Sequence, residues 1–216
     1  MVAAALSGGR AEKTRQAILE AAERLFAERG FAATRLEDIA EQVGIRRASM
    51  VYHFKDKREL HTAVISSVLQ GLDEAIRSAA SLDLQPRARI EAAVGAWVDY
   101  VGTRPTTARL LLRELANAGH ELPKALLIAS RPLAQFIRDR FLDDASVRTA
   151  VRSTGDSKID PLHVASALAG ATLFFVAAAP VVATRPGFDP LDEAHIEAHK
   201  EELLRIVRQL LRFDVS

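Results

Sequence analysis

The sequence predicts an all-α protein of about nine helices. Apolar residues recur at intervals of three and four over most of the chain, and proline, glycine and aspartate separate these stretches. No alternation of apolar and polar residues is long enough to indicate a sheet. The 216 residues, of which 49% are hydrophobic and 26% charged, suffice for one or two domains with a buried core.

Residues 35–54 (RLEDIAEQVGIRRASMVYHF) have the pattern of a helix-turn-helix. Thr34 and Glu37 have the spacing of a capping box, which predicts the start of the first helix. Gly44 predicts its end, because glycine readily adopts the left-handed conformation of a helix exit. A second short helix then begins at residue 45 or 46 and carries two adjacent arginines near its start.

The second helix of this motif has side chains suited to DNA. An arginine fork matches the acceptor atoms of guanine, and serine, tyrosine and histidine donate to base edges or phosphates. Residues 44–58 contain five basic side chains and one acidic side chain. The alternative is an ordinary helix pair with a solvated basic edge. The predicted DNA-binding residues are Thr34, Arg35, Arg46, Arg47, Ser49, Tyr52, His53 and Lys57.

Residues 10 to about 70 resemble the DNA-binding domain of the tetracycline-repressor (TetR) family of bacterial transcriptional regulators. The resemblance is carried by ILEAAERLFAERGF at 18–31, Thr34, DIAEQVGI at 38–45 and SMVYHFKDKREL at 49–60. Arg46 stands where many members have a capping serine, and Val51 where many have a tyrosine. The resemblance predicts an N-terminal three-helix helix-turn-helix domain over 10–70 and a helical effector-binding and dimerisation domain over 71–216.

The resemblance implies a cytoplasmic bacterial regulator that binds a palindromic operator in double-stranded DNA as a homodimer. We expect a repressor that a small apolar or amphipathic effector releases from DNA, with transcriptional activation as the alternative. The implied effector cavity is expected to be lined by Trp97, Tyr100, Val101, Arg109, Leu111, Arg113, Glu114, Leu115, Phe136, Phe174 and Phe175. For any one of these residues, a place in the ordinary core is an equally good interpretation.

The helices after the motif are delimited by capping residues and prolines. Asp56 and Glu59 predict the start of a helix over 57–80. Pro86 opens the next helix, and further helices are expected over 105–117 and 123–144, the latter with a kink at Pro132. The first ten residues are expected to be a frayed tail.

Residues 164–183 contain no charged side chain and are long enough to cross a membrane. Eight alanines and an internal proline, with no aromatic belt, argue against a membrane anchor. Helices opened by Asp160-Pro161 and Asp189-Pro190, the first over 161–184, instead suit a four-helix bundle formed with a second copy of the chain. The predicted dimer interface consists of Leu168, Phe175, Ile196, His199, Leu203, Ile206 and Leu210.

The residue types present argue against catalysis and metal binding. The chain has no cysteine, which excludes disulfides and thiolate sites. His195 and His199 are four residues apart, but no third ligand is indicated, so we interpret them as surface or dimer histidines and predict no metal. Without a phosphate-binding glycine loop, a nucleophile elbow or paired carboxylates, we predict neither an enzyme nor a cofactor. An enzyme and a membrane-anchored helical protein are the alternatives outside this class.

Overall fold

The computed structural model describes residues 2–81, 83–117, 124–145, 161–182 and 189–210. These residues form nine α-helices and no strand, which confirms the predicted all-α class. The helices are α1 (Val2–Ala33), α2 (Leu36–Val43), α3 (Arg47–His53), α4 (Lys57–Ala79), α5 (Pro86–Gly102), α6 (Pro105–Asn117), α7 (Lys124–Ile137), α8 (Pro161–Val182) and α9 (Glu193–Leu210). A π-helical turn, Arg138–Leu142, follows α7 directly.

The chain divides into two compact units. The first contains residues 1–68 and 109–129, and the second contains residues 69–108 and 130–216. The first division falls close to the boundary predicted at 70. Residues 109–129, which the sequence prediction assigned to the second domain, pack with the first unit. Helices α4, α6 and α7 therefore each contribute residues to both units.

The first unit is built around large apolar side chains that are fully buried. They are Ile18, Leu25, Phe26, Ile39, Met50, Leu60, Val64, Ile65 and Leu110. Helix α1 begins at Val2, where a frayed tail was expected. It is interrupted at Gly30, whose φ of 83° lies in the region that favours glycine.

The turn between α2 and α3 forms as predicted. Gly44 is left-handed, with φ 71° and ψ 32°. Its N–H donates to the Glu41 carbonyl at 3.1 Å, and the N–H of Ile45 donates to the Ala40 carbonyl at 3.0 Å. These two bonds satisfy carbonyls that the end of α2 would otherwise leave unpaired.

The cap at the start of α2 lies one residue later than predicted. The N-cap is Arg35, and Asp38 Oδ2 accepts its backbone N–H at 3.4 Å. Thr34 is fully buried, and its hydroxyl donates to the carbonyls of Leu25 and Gly30 at 3.2 and 2.8 Å. Its side chain therefore ties α2 to α1 and does not cap α2.

In the second unit, α5 lies against both α8 and α9. The buried core consists of Val98, Leu168, Leu203 and Val207, with Ile90, Val94, Trp97, Val164, Ala171, Ile196 and Ile206 packed around it. Gly102 permits close approach of α9, because a Cβ there would lie 2.8 Å from the Ile196 side chain. The start of α5 is held by Arg89, which forms a buried ion pair with Asp144 at 3.0 Å.

This core corrects the predicted dimer interface. Leu168, Ile196, Leu203 and Ile206 pack within the chain itself, because the apolar seam of α9 faces α5. The Leu210 side chain lies outside the described residues, although its backbone ends α9.

The remaining helix limits agree with the sequence prediction to within a few residues. Asp56 Oδ1 accepts the backbone N–H of Glu59 at 2.8 Å, as its spacing predicted. Helix α7 continues through Pro132. Asp189-Pro190 forms a turn, and Asp192 caps α9 by accepting the N–H of Ala194 at 3.3 Å. Asp160, the other predicted cap, lies outside the described residues.

Across the described ranges, no helix combines the length and apolarity needed to span a membrane.

Candidate nucleic-acid interface and cavity

Helix α3 presents one polar face and is anchored by the other. Met50 is completely buried and Phe54, directly after the helix, is 2% exposed. On the opposite side, Arg47 and Ser49 are exposed and the Tyr52 side chain is 82% exposed. The helix is thus fixed to the first unit while its arginine, hydroxyl and phenol groups face outward.

The two adjacent arginines have different surroundings. Arg46 is the N-cap of α3 and makes no side-chain capping hydrogen bond, as its replacement of a capping serine predicted. Arg47 Nη1 lies 2.9 Å from Glu37 Oε1 in an exposed ion pair with α2. An exposed pair of this kind contributes little stability, so Arg47 can exchange Glu37 for another anion at small cost.

The end of α3 carries two neighbouring aromatic rings. The rings of Tyr52 and His53 meet edge to face, with centroids 5.2 Å apart. His53 is half-buried, whereas Val51 is 53% exposed. Of the other predicted DNA-binding residues, Arg35 is exposed at the start of α2.

The position of Thr34 does not agree with its predicted contact to DNA. It has no exposed surface, and its hydroxyl is already bonded to two carbonyls of α1. It therefore positions α2 and offers no atom to DNA.

The contacts of Lys57 also differ from the predicted contact to DNA. Its ammonium donates to the carbonyls of Phe31, Ala32 and Thr34 at 2.8, 3.3 and 2.9 Å, and it lies 4.5 Å from the centre of the Phe31 ring. An ammonium has three donors, so these bonds occupy all of them. Lys57 caps the end of α1, where a positive charge is favourable. Its neighbours Lys55 and Arg58 are exposed and are the basic residues that the list of predicted contacts left out.

The second unit contains a partly open cavity of about 270 Å³. Helices α4, α5, α7 and α8 and the π-helical turn contribute its walls, which are almost entirely apolar. The lining residues are Ile76, Ile90, Ala93, Val94, Trp97, Leu133, Ile137, Phe141, Leu142, Val164, Ala165, Leu168 and Ala169. Among the predicted effector-pocket residues, Trp97 lines this cavity.

Several predicted pocket residues of the second unit lie elsewhere. Val101 is completely buried in the core. Tyr100 packs against Gly71, where a Cβ would lie 2.6 Å from its hydroxyl. Phe136 faces a polar hollow beside Arg77, whose guanidinium lies 4.3 Å from the ring centre. Phe174 is 56% exposed.

The five predicted pocket residues of α6 all belong to the first unit. Arg109 and Leu115 are exposed, and Leu111 is buried. Arg113 donates to the Glu28 carbonyl at 3.2 Å, and Glu114 pairs with His61 at 3.0 Å. Arg113 and Glu114 thus connect α6 to other helices of the first unit. None of the five residues lines the cavity of the second unit.

His199 of α9 packs against an aromatic ring. His199 stacks face to face on Phe175, with ring centroids 4.2 Å apart and an interplanar angle of 2°. Burial lowers the pKa of His199 below its ordinary value of 6.5. Within the described ranges, no three histidine, cysteine or acidic side chains are grouped closely enough to hold a metal ion.

Comparison with known structures supports the fold over nearly the whole chain. A putative transcriptional regulator from Streptomyces coelicolor, SCO4942, is 22% identical, with a TM-score of 0.66 over 93% of this chain and 99% of that chain. The ketosteroid transcriptional regulator KstR2 of Mycobacterium tuberculosis is 20% identical, with a TM-score of 0.68 and coverage of 92% and 95%. AibR, solved in complex with isovaleryl coenzyme A and operator DNA, is 19% identical, with a TM-score of 0.66 and coverage of 93% and 100%.

Sequence comparison identifies the helix-turn-helix region itself. The profile of the family described as bacterial regulatory proteins, tetR family, matches residues 18–64. This match spans the second half of α1, all of α2 and α3, and the start of α4, which are the elements that position the exposed face of α3. Over residues 18–64 the chain therefore contains a segment that matches the family of bacterial regulatory proteins described as tetR.

Proposed function

We propose that this protein is a transcriptional regulator that binds double-stranded DNA through the outward face of α3. The observation that carries the proposal is the common exposure of Arg46, Arg47, Ser49 and Tyr52 on a helix anchored by Met50. An arginine in the major groove can form two hydrogen bonds to guanine, and hydroxyl groups donate to phosphates. Arg46 and Arg47 are therefore the proposed base contacts, and Ser49 and Tyr52 the proposed phosphate contacts.

Other exposed cations of the first unit support binding to the phosphate backbone. Arg35, Lys55 and Arg58 are exposed residues that flank α3 along the chain. Contacts of this type add affinity without sequence preference and weaken as salt concentration rises. His53 completes the proposed interface from its half-buried position at the end of α3.

A homodimer formed through α8 would give the operator its symmetry. Leu162, Ser166, Gly170 and Phe174 recur every four residues on α8, and all four are exposed. A Cβ at Gly170 would meet no described atom within 4 Å, so this stripe is open to a second helix. A twofold dimer presents two α3 helices to two half-sites, which predicts a palindromic operator.

We further propose that a small molecule bound in the cavity controls DNA binding. Ile76 of α4 lines the cavity, and α4 runs without interruption back to Lys57, which caps α1 of the DNA-binding unit. The related fold of AibR accommodates both isovaleryl coenzyme A and operator DNA. A ligand that favours the form with lower DNA affinity would release the operator, which is the behaviour of a repressor.

The DNA-binding proposal is tested by selecting bound duplexes from a random pool and measuring affinity for the recovered sequence. Replacing Arg46 or Arg47 by alanine should weaken that affinity by about 1 to 3 kcal/mol and relax the sequence preference. Arg205→Ala, an exposed arginine of α9, is the matched control and should bind as the wild type does. Failure to recover any sequence, or an affinity independent of salt, would refute the proposal.

The same operator distinguishes repression from activation. Transcription from a promoter that contains the selected sequence should fall when the protein is added and recover when a cavity ligand is added. A rise in transcription on addition of the protein would identify an activator. Recovery of a single half-site bound by one copy of the chain would contradict the dimeric mode.

A further inference from the structure

The described walls of the cavity in the second unit offer no charged side chain that could pair with a charged ligand atom. None of its described lining residues carries an ionisable side chain. The one polar side-chain atom among them, Trp97 Nε1, has no accessible surface and makes no hydrogen bond to the described residues. An ionised carboxylate placed inside would lose its hydration without compensation, which strongly disfavours binding.

The shape of the cavity depends on the π-helical turn. The N–H of Asp143 donates to the carbonyl of Arg138 at 2.8 Å, five residues earlier, and this wider turn brings the consecutive residues Phe141 and Leu142 to the cavity wall. The buried ion pair between Arg89 and Asp144 holds the end of this turn against α5. Single π-helical turns occur frequently at functional sites.

Small side chains create the remaining space. Ala93 of α5 and Ala169 of α8 line the cavity between larger aliphatic residues such as Val94, Ile137 and Leu168. The resulting volume of about 270 Å³ lies just below the usual range for small-molecule sites, so it suits a slender ligand. The walls are aliphatic apart from Trp97 and Phe141, so they favour contact with a hydrocarbon chain.

We propose that this cavity binds the aliphatic chain of an amphipathic small molecule and leaves every charged group of that molecule outside. The inference rests on the proposed function only for the consequence of binding, namely release from DNA. The affinity is set by the length of the chain inside the cavity. A charged group at the far end of the chain strongly weakens binding, because the described walls of the cavity offer it no partner.

Trp97 provides a direct readout, because it is the single tryptophan of the chain and lines the cavity. The full-length protein is titrated with 1-octanol, octanoate and octanedioate, and Trp97 fluorescence is recorded. The first two probes should bind within about tenfold of each other, since their head groups stay outside. Octanedioate has the same chain length but a second carboxylate, and it should bind at least roughly a hundredfold more weakly than octanoate.

Matched variants of α5 locate the bound chain. Ala93→Leu fills the cavity and should abolish the response to octanoate, whereas Ala88→Leu, on an exposed residue of the same helix, should leave it unchanged. Ala169→Leu is a second filling variant on α8 and should act like Ala93→Leu. Circular dichroism and the melting temperature show that each variant is folded.

Two results would overturn the inference. One is binding of octanedioate as tight as that of octanoate; the other is no fluorescence response to any alkanol or alkanoate from six to twelve carbons at its solubility limit. A failure of the proposed function alone would give a different set of results. In that case the probes would bind and depend on Ala93, while the affinity for the selected operator stayed the same in their presence.

Discussion

His61 Nε2 lies 3.0 Å from Glu114 Oε1, in a contact that joins α4 to α6 and is shielded from solvent. The exposed fractions of the two side chains are 13% and 8%. The imidazole also meets the rings of Phe26 and Phe31 edge to face, with centroids 5.0 and 4.9 Å away. A polar pair thus sits within the aromatic part of the first unit's core.

Glu114→Ala should lower the free energy of unfolding by about 1 to 3 kcal/mol, because it leaves the buried imidazole without its partner. Glu114→Gln keeps an amide that can bond to the ring and should cost less. Chemical denaturation of both variants measures the difference. Equal stability of Glu114→Ala and the wild type would show that the pair has no structural role.

Lys57→Ala should destabilise the protein by about 1.5 to 3 kcal/mol, the range for hydrogen bonds of a charged group, because it removes the cap of α1. Lys55→Ala, two residues earlier on an exposed side chain, is the control and should change stability by less than about 0.5 kcal/mol. Thermal denaturation compares them. If Lys57→Ala were as stable as Lys55→Ala but bound all DNA sequences more weakly, Lys57 would be a phosphate contact after all.

Local sequence predicted α3 well and misassigned two of its neighbours. The helix-turn-helix spacing depends on residues close together in the chain, such as Gly44, and the structure follows it. Thr34 and Lys57 have the right chemistry for DNA, but their partners are backbone carbonyls of α1 and, for Lys57, also the carbonyl of Thr34 directly after it. The acceptors of Lys57 lie 23 to 26 residues earlier, so no local pattern indicates them.

In the second unit, too, the sequence did not indicate which face of a helix is buried. Helix limits were predictable from prolines and caps, but α8 has no charged side to mark its outward face. Leu168 was therefore assigned to the dimer interface, although it faces the core. The sequence prediction did not identify the exposed stripe of Leu162, Ser166, Gly170 and Phe174, and it assigned Phe174 to the effector pocket. The cavity depends on the π-helical turn, which the sequence pattern does not reveal.

Glu37→Gln should tighten DNA binding by about 0.2 to 1 kcal/mol, the usual range for an exposed ion pair. The substitution removes the anion that holds Arg47 at 2.9 Å, so this arginine is released for DNA. Glu41→Gln, an exposed acid on the same helix, controls for the loss of one negative charge. Fluorescence anisotropy at fixed salt compares the variants, and equal gains for both would show that Glu37 does not compete for Arg47.

Gly170→Glu should convert the proposed dimer to a monomer. It places a charge in the middle of the α8 stripe, and in a twofold dimer the two charges would lie close together and be removed from water. Ile128→Glu is the control, since Ile128 is 63% exposed and is not part of the stripe. Sedimentation equilibrium gives the oligomeric state. An unchanged dimer in Gly170→Glu would place the interface elsewhere.

The free energy of unfolding should decrease as the pH falls below 6.5, because of His199. Burial lowers the pKa of His199, so the unfolded chain takes up a proton near its ordinary value of 6.5 while the folded chain does not until a lower pH. His199→Phe removes this titration but keeps an aromatic ring that can stack on Phe175. Urea denaturation at pH 7.5 and 5.5 should therefore show a smaller loss of stability in the variant than in the wild type. An equal or larger loss in His199→Phe would mean that proton uptake by other groups accounts for the pH dependence.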